Sequence, residues 1–156
     1  MKSKSKEIIR KAKVSDVKAI HKLINSYASD GTMLSRSLNI LYETIRDFYV
    51  CEKNGQLIGC VAIHIDWEDL AEIRSLAIDK EYIRTGIGTK LVKTCIKEAK
   101  ELEIKKIFAL TYKPEFFKKL GFKEVEKSTL PHKIWTDCIN CPKFPECNET
   151  ALIYEM

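Results

Sequence analysis

The chain has 156 residues, enough for one ordinary domain with a sizeable core that needs no disulfide staples. Hydrophobic residues make up 45% and charged residues 31%, and no apolar run approaches the roughly 20 residues that cross a bilayer, so no membrane partner is expected. The formal net charge of +5 suits an anionic small molecule, a nucleic acid or an acidic surface; the lysines are scattered rather than clustered with aromatics, which argues against nucleic acid.

The opening "MKSKSKEIIRKAK" has basic residues but no apolar stretch behind them, which does not fit a secretory signal; a cytoplasmic protein is expected. Residues 1–6 read as a basic tail, and 1–156 as a single domain. "EIIRKAKV" predicts a first strand. Ser15 is expected to cap a helix whose apolar residues Val17, Ile20, Leu23, Ile24 and Tyr27 recur at helical spacing. "SDGTMLSRS" breaks that pattern, and "LNILYETI" predicts a second, short helix.

"DFYVCEK" and "QLIGCVAIHI" read as strands joined by Asn54-Gly55, a strong hairpin signal between apolar runs. Ile58 to Ile65 is apolar on both alternations, as a strand covered on both faces requires. After the connection "DWED", "LAEIRSLAI" predicts another strand. A long helix should run from about Gly88 to Leu102, burying Leu91, Val92, Cys95, Ile96, Ala99 and Leu102. "KKIFALTY" predicts a strand and "PEFFKKLGF" a short helix, with Pro114 in its first turn and Gly121 ending it left-handed. "FKEVEK" resumes extended structure and "ALIYEM" closes the sheet. The order predicts an α/β fold: a mixed, mostly antiparallel sheet with helices on both faces.

The chemistry-bearing stretch is "YIRTGIGTKL", residues 82–91. It fails as a P-loop, because Ile83 stands where a glycine must precede Gly88-Thr89-Lys90. It fails as a dinucleotide fingerprint, because Leu91 occupies the third glycine position. What remains is general anion chemistry. Gly86 and Gly88 admit close backbone approach, a helix begins there with free N–H groups, and Arg84 and Lys90 add positive charge. A plain strand-to-helix turn accounts for the same residues.

"AEIRSLAIDKEYIRTGIGTKLV", followed by "FALTYKPEFFKKLGF", resembles the acetyl-CoA-dependent GNAT N-acetyltransferases. With "SRSLNILYETIRDFYV" and "DCINCPKFPEC", nearly the whole chain after the tail looks like the short, stand-alone bacterial N-acetylglutamate synthases. The resemblance implies transfer of acetyl from acetyl-CoA to the α-amino group of L-glutamate, in arginine biosynthesis. It also implies a backbone grip on the coenzyme pyrophosphate by Arg84, Thr85, Gly86, Ile87, Gly88 and Thr89. Ile83 occupies the family's Arg/Gln position, and Arg84 is the nearest base, one place late.

Amine acetylation must deprotonate the acceptor, stabilise an oxyanion and satisfy a leaving thiolate. By the resemblance, Glu72 is the general base; the alternative is an ion pair with Arg74, two residues on and therefore on the same strand face. The resemblance places Leu76, Ala77 and Ile78 along the coenzyme, with amides near Leu76 and Ala77 polarising the thioester, and Phe117 beside the pantetheine. Phe117 stands where many relatives carry a thiolate-protonating tyrosine, so Tyr112 is the candidate acid or else a packed strand residue. Two substrate carboxylates call for cations; the resemblance implies Arg36, with Ser37 beside it, and Arg74 is a second candidate, against a plain surface role for each. Acetyl-CoA and glutamate are thus the expected small-molecule partners; a homodimer is left open.

The cysteines divide into two groups. Cys51, Cys60 and Cys95 sit among apolar neighbours and read as core residues. Cys138, Cys141 and Cys147, in segment 131–148 with His132 upstream, have the ingredients of a structural zinc site but show only one tight pair. Reduced cysteines or a labile disulfide are the alternatives.

Overall fold

The protein is described by a computed structural model, which covers residues 6–29, 36–129 and 149–156. Seven strands join in the order β1-β2-β3-β4-β5-β7-β6, a mixed α/β arrangement as the element order predicts. The strands are β1 Ile8–Lys11, β2 Phe48–Lys53, β3 Gln56–Trp67, β4 Leu70–Ile78, β5 Lys106–Thr111, β6 Lys123–Val125 and β7 Thr150–Glu155. The helices are α1 Val17–Ala28, α2 Leu38–Glu43, α3 Ile87–Glu101 and α4 Pro114–Lys119. Among the described residues no helix is long and apolar enough to cross a membrane.

The chain forms two compact units, Met1–Ile63 with Ser75–Lys97, and His64–Arg74 with Glu98–Met156. In the first, β1 pairs antiparallel with β2 and β2 with β3. Asn54 and Gly55 make the β2–β3 turn with φ of 55° and 74°, the doubly left-handed geometry that matches strand twist. Its core takes Val17, Ile20 and Ile24 from α1 and Leu41 from α2. These pack with Phe48, Val50, Cys60, Ala62 and Ala77 from the strands. The helical spacing read from the sequence therefore does bury one face of α1.

Ser15 does not cap that helix. A 3-10 turn, Val14–Asp16, precedes α1, and Asp16 stands at the cap position. Its carboxylate serves the turn instead, accepting from the Lys13 N–H at 2.7 Å and from Arg10 Nη1 and Nη2 at 2.8 and 3.0 Å.

In the second unit β4 pairs parallel with β5, and β5 and β6 pair antiparallel with β7. Leu70, Phe108 and Ala151 form a small core with Leu110, Val125 and Ile153 against it. Pro114 opens α4 and Gly121 follows it at φ 100°, both as expected from their chemistry. β3 reaches Trp67, so the connection to β4 shortens to residues 68–69. The extended segment after Phe122 is likewise shorter than its pattern, giving way to a 3-10 turn at Lys127–Thr129.

Leu102 departs from expectation, being 55% exposed. Glu103 takes a left-handed φ of 62°, and the Ile104 N–H reaches back to the Ala99 carbonyl at 2.9 Å. This six-to-one closure ends α3 and hands the apolar contact to Ile104, which is buried.

Candidate active site

The first unit carries the glycine loop. β4 ends at Ile78, and the Asp79 N–H donates to the Ile58 carbonyl at 2.8 Å, anchoring the loop's start to β3. The Asp79 carboxylate accepts the Glu81 N–H at 3.0 Å, folding Lys80–Tyr82 into a 3-10 turn. The Thr85 hydroxyl donates back to the Tyr82 carbonyl. Arg84 and Gly86 both take left-handed φ, 67° and 88°, and α3 starts at the next residue, Ile87.

The structural demand at Gly86 is conformational. A Cβ there would meet nothing within 4 Å, but the φ disfavours any L side chain. Arg84, Thr85 and Gly86 are exposed, and Gly88 and Thr89 half-exposed. The first intrahelical bond shown runs from the Lys90 N–H to the Gly86 carbonyl at 3.1 Å. The N–H groups of Ile87, Gly88 and Thr89 come before it in the first turn of α3, where a helix has no acceptor of its own to offer, the arrangement that binds phosphate. Lys90 itself pairs with Glu7 at 3.1 Å and is 59% exposed, so the pair contributes little.

The residues flanking the loop pack closely over a position on β3 that the sequence did not mark as part of the site. Gly59 on β3 is where a Cβ would come within 3.1 Å of Ile78 and 3.2 Å of both Ile87 and Leu91. A glycine inside a strand is a visible sign of close approach, though what approaches is not legible. Tyr27 also contributes: its hydroxyl donates to the Ile78 carbonyl at the end of β4.

Within β4 the backbone is kinked. Ser75 has φ 56°, a left-handed value that costs a non-glycine residue on the order of 1–3 kcal/mol. The Cys60 thiol, fully buried, donates to the Ser75 carbonyl at 3.4 Å. Burial pushes that thiol up to about 12, while a hydrogen bond from the Ala77 N–H acts the other way. Cys51, Cys60 and Cys95 are buried thiols not joined in a disulfide, as their apolar neighbours indicate. Leu76 and Ile78 are half-buried and Ala77 is buried.

The second unit carries the carboxylate. Glu72 and Arg74 lie on one face of β4, with Arg74 Nη2 2.9 Å from Glu72 Oε1 and side chains only 16% and 13% exposed. The ion pair weighed from their spacing is therefore present. It leaves a carboxylate and a guanidinium side by side, one able to take a proton and the other to bind an anion. Among the described residues the register with β5 runs from Leu70 to Glu72, while β4 itself continues to Ile78. Tyr112 follows the end of β5 and is half-buried. Phe117 is buried and packs edge-on against Phe116 and Phe122, at centroid distances of 5.0 and 5.2 Å.

Arg36, half-buried, precedes α2. Ser37 caps that helix, its hydroxyl accepting the Ile40 N–H at 3.2 Å. Cys138, Cys141 and Cys147 lie outside the described residues, as does His132. Among the described residues no cluster of His, Cys, Asp and Glu is arranged to hold a metal.

The sequence and the fold have counterparts in known proteins. Residues 17–122 match the acetyltransferase (GNAT) family. The chain is 44% identical over 145 residues to an uncharacterised N-acetyltransferase of Chlorobaculum tepidum, covering 93% of this chain and 94% of that one. It is 35% identical over 133 residues to an amino-acid acetyltransferase of Mycobacterium tuberculosis, covering 83% and 76%. Among solved structures, the N-acetylglutamate synthase of Neisseria gonorrhoeae, complexed with coenzyme A and N-acetyl-glutamate, superposes with a TM-score of 0.88 at 28% identity. That match covers 98% of this chain and 36% of the longer synthase.

The chain belongs to the acetyltransferase (GNAT) family. It is an N-acetyltransferase, and the resemblance carried by its loop and Leu-Gly-Phe segments is borne out.

Proposed function

We propose that the protein transfers the acetyl group of acetyl-CoA to the α-amino group of L-glutamate, producing N-acetylglutamate and coenzyme A for arginine biosynthesis. The observation that carries the reading is the glycine loop at the start of α3, reached along the same strand that bears Glu72 and Arg74. Support for the acceptor comes from the amino-acid acetyltransferase relative and from the synthase complexed with N-acetyl-glutamate.

In this reading the amides of residues 84–89 hold the pyrophosphate, with the α3 dipole favouring its charge. Leu76, Ala77 and Ile78 run along the pantetheine, and Phe117 supports it. Glu72 takes a proton from the substrate ammonium, directly or through one water. The freed amine attacks the thioester carbonyl, and the Leu76 amide stabilises the oxyanion. The C–S bond then breaks, and the thiolate leaves with a proton from Tyr112 or solvent; a thiol pKa near 8.5 makes a dedicated acid dispensable, to within about a unit. Arg36 and Arg74 hold the two substrate carboxylates, with Ser37 fixing the start of α2 beside Arg36.

The test is thiol release from acetyl-CoA in the presence of each common amino acid. L-glutamate should be the preferred acceptor by at least about tenfold in kcat/KM. Preference for another amino acid or amine would overturn the acceptor assignment while leaving the coenzyme assignment intact.

A further inference from the structure

The left-handed φ at Ser75 kinks the backbone inside β4, between Glu72 and the end of the strand at Ile78. The buried atom beside it is the Cys60 sulfur, on β3. The thiol donates to the Ser75 carbonyl at 3.4 Å, and the Ala77 N–H donates to the sulfur. One side chain thereby spans Leu76, satisfying a backbone acceptor before it and a backbone donor after it. A thiol is small enough for a buried central strand and carries both a donor and an acceptor. Rotation about the Ser75 φ would displace its carbonyl and the Ala77 amide together, which opposes the two bonds to the sulfur.

We propose that Cys60 is a positioning residue for acetyl transfer: its thiol bridges the Ser75 carbonyl and the Ala77 amide and locks the kink that orients the Leu76 amide toward the thioester. The inference rests on the coenzyme-binding reading above and deepens it. Cys60 touches neither coenzyme nor acceptor in this scheme and acts through the backbone. Its chemistry is that of a hydrogen-bonding clasp, since a thiol held protonated by burial offers no nucleophile.

Three substitutions separate this role from packing. Cys60→Ser keeps a donor and an acceptor, Cys60→Ala has nearly the same volume as serine with neither, and Cys60→Val fills the space with neither. Thermal unfolding measures packing, and kcat with the best acceptor measures positioning. We expect kcat to fall about tenfold or more in the alanine and valine variants, and to stay within about threefold of the parent in the serine variant. Thermal stability should follow a different order, with serine no better than valine, because a buried hydroxyl gains nothing from apolar surroundings. A rate order that tracks unfolding temperature, or a valine variant with full kcat, would overturn the proposal.

The two readings fail separately. If the parent prefers an acceptor other than glutamate, the variants are compared with that acceptor, and the glutamate assignment alone is lost. If the parent turns over no amine, the comparison passes to calorimetric affinities for acetyl-CoA and for CoA, which lacks the thioester carbonyl. The preference for acetyl-CoA should then shrink in Cys60→Val and persist in Cys60→Ser; an unchanged preference in Cys60→Val would overturn it.

Discussion

The hydroxyl of Tyr27, on the last turn of α1, donates to the backbone carbonyl of Ile78, the final residue of β4. The residue after Ile78 begins the connection to the glycine loop, so a helix far away in sequence sets where that loop starts. Lys80 lies over the same ring at 5.7 Å, adding a contact from the loop itself. Tyr27→Phe removes only the hydroxyl. It should lower unfolding free energy by about 1 kcal/mol and raise the KM for acetyl-CoA about threefold, with kcat little changed. Urea unfolding and initial rates at varied acetyl-CoA check both expectations.

Gly59 gives a steric counterpart. An alanine methyl would press on the Cδ1 methyls of Ile78 and Leu91 and the Cγ2 methyl of Ile87 at 3.1–3.2 Å, which must yield by a few tenths of an ångström. Gly59→Ala should cost about 1–3 kcal/mol as overpacking. It should also weaken acetyl-CoA binding, because Ile87 opens the helix that faces the pyrophosphate in the proposed site. Calorimetric titration with CoA and a denaturation curve together test this. A stable variant with unchanged CoA affinity would show that the loop does not depend on that close approach.

Glu72 and Arg36 are assigned to different tasks on the acceptor, proton removal and carboxylate binding, and their variants should separate accordingly. Glu72→Gln keeps size and removes the base, so kcat should fall by on the order of 10²–10⁴ while CoA affinity holds. Arg36→Ala should raise the KM for glutamate about tenfold or more and leave the KM for acetyl-CoA unaltered. Initial-rate matrices in both substrates distinguish the two patterns.

The carboxylate of Asp16 should make stability depend on pH. Its hydrogen bond with Arg10 holds its folded pKa below the usual aspartate value, with the Lys13 N–H assisting and burial opposing. A depressed folded pKa means the contribution is fully present above the unfolded value, near pH 4, and is lost as pH falls through the folded one. Arg10 does not titrate in the accessible range, its guanidinium being shifted further upward by Asp16. Asp16→Asn should therefore be less stable than the parent at pH 7, and the gap should close progressively below about pH 4. Urea midpoints for both proteins at pH 7 and at acidic pH provide the check.

Much of the architecture was legible because it depends on local chemistry. Asn54-Gly55 announces its turn, Pro114 and Gly121 bracket α4, and the spacing of Val17, Ile20 and Ile24 buries one face of α1. Element ends were less legible. Ser15 has the chemistry of a cap, yet it lies inside a 3-10 turn, and the Asp16 carboxylate at the helix start is taken up by Arg10, on β1, and the Lys13 N–H. Leu102 has the spacing of a buried residue, yet Glu103 turned the chain left-handed and gave the buried place to Ile104.

The candidate site divides in the same way. "RTGIG" could be read as an anion loop because two glycines and a helix start are properties of a short stretch of chain. Glu72 and Arg74 could be paired on paper because alternate residues of a strand share a face, and they lie 2.9 Å apart. Nothing local marks Ser75 as kinked, Cys60 as its clasp or Tyr27 as the tie to Ile78. Each of those relations joins residues distant in sequence, so each exists only once the strands have paired and the helix has packed. The order of elements, the turns and the residue types of the loop were determined by the sequence itself. Which backbone groups stay free to meet a ligand, and which are already committed to a neighbour, was decided by the tertiary structure, because a buried hydrogen-bonding group takes its partner from whatever the fold brings beside it.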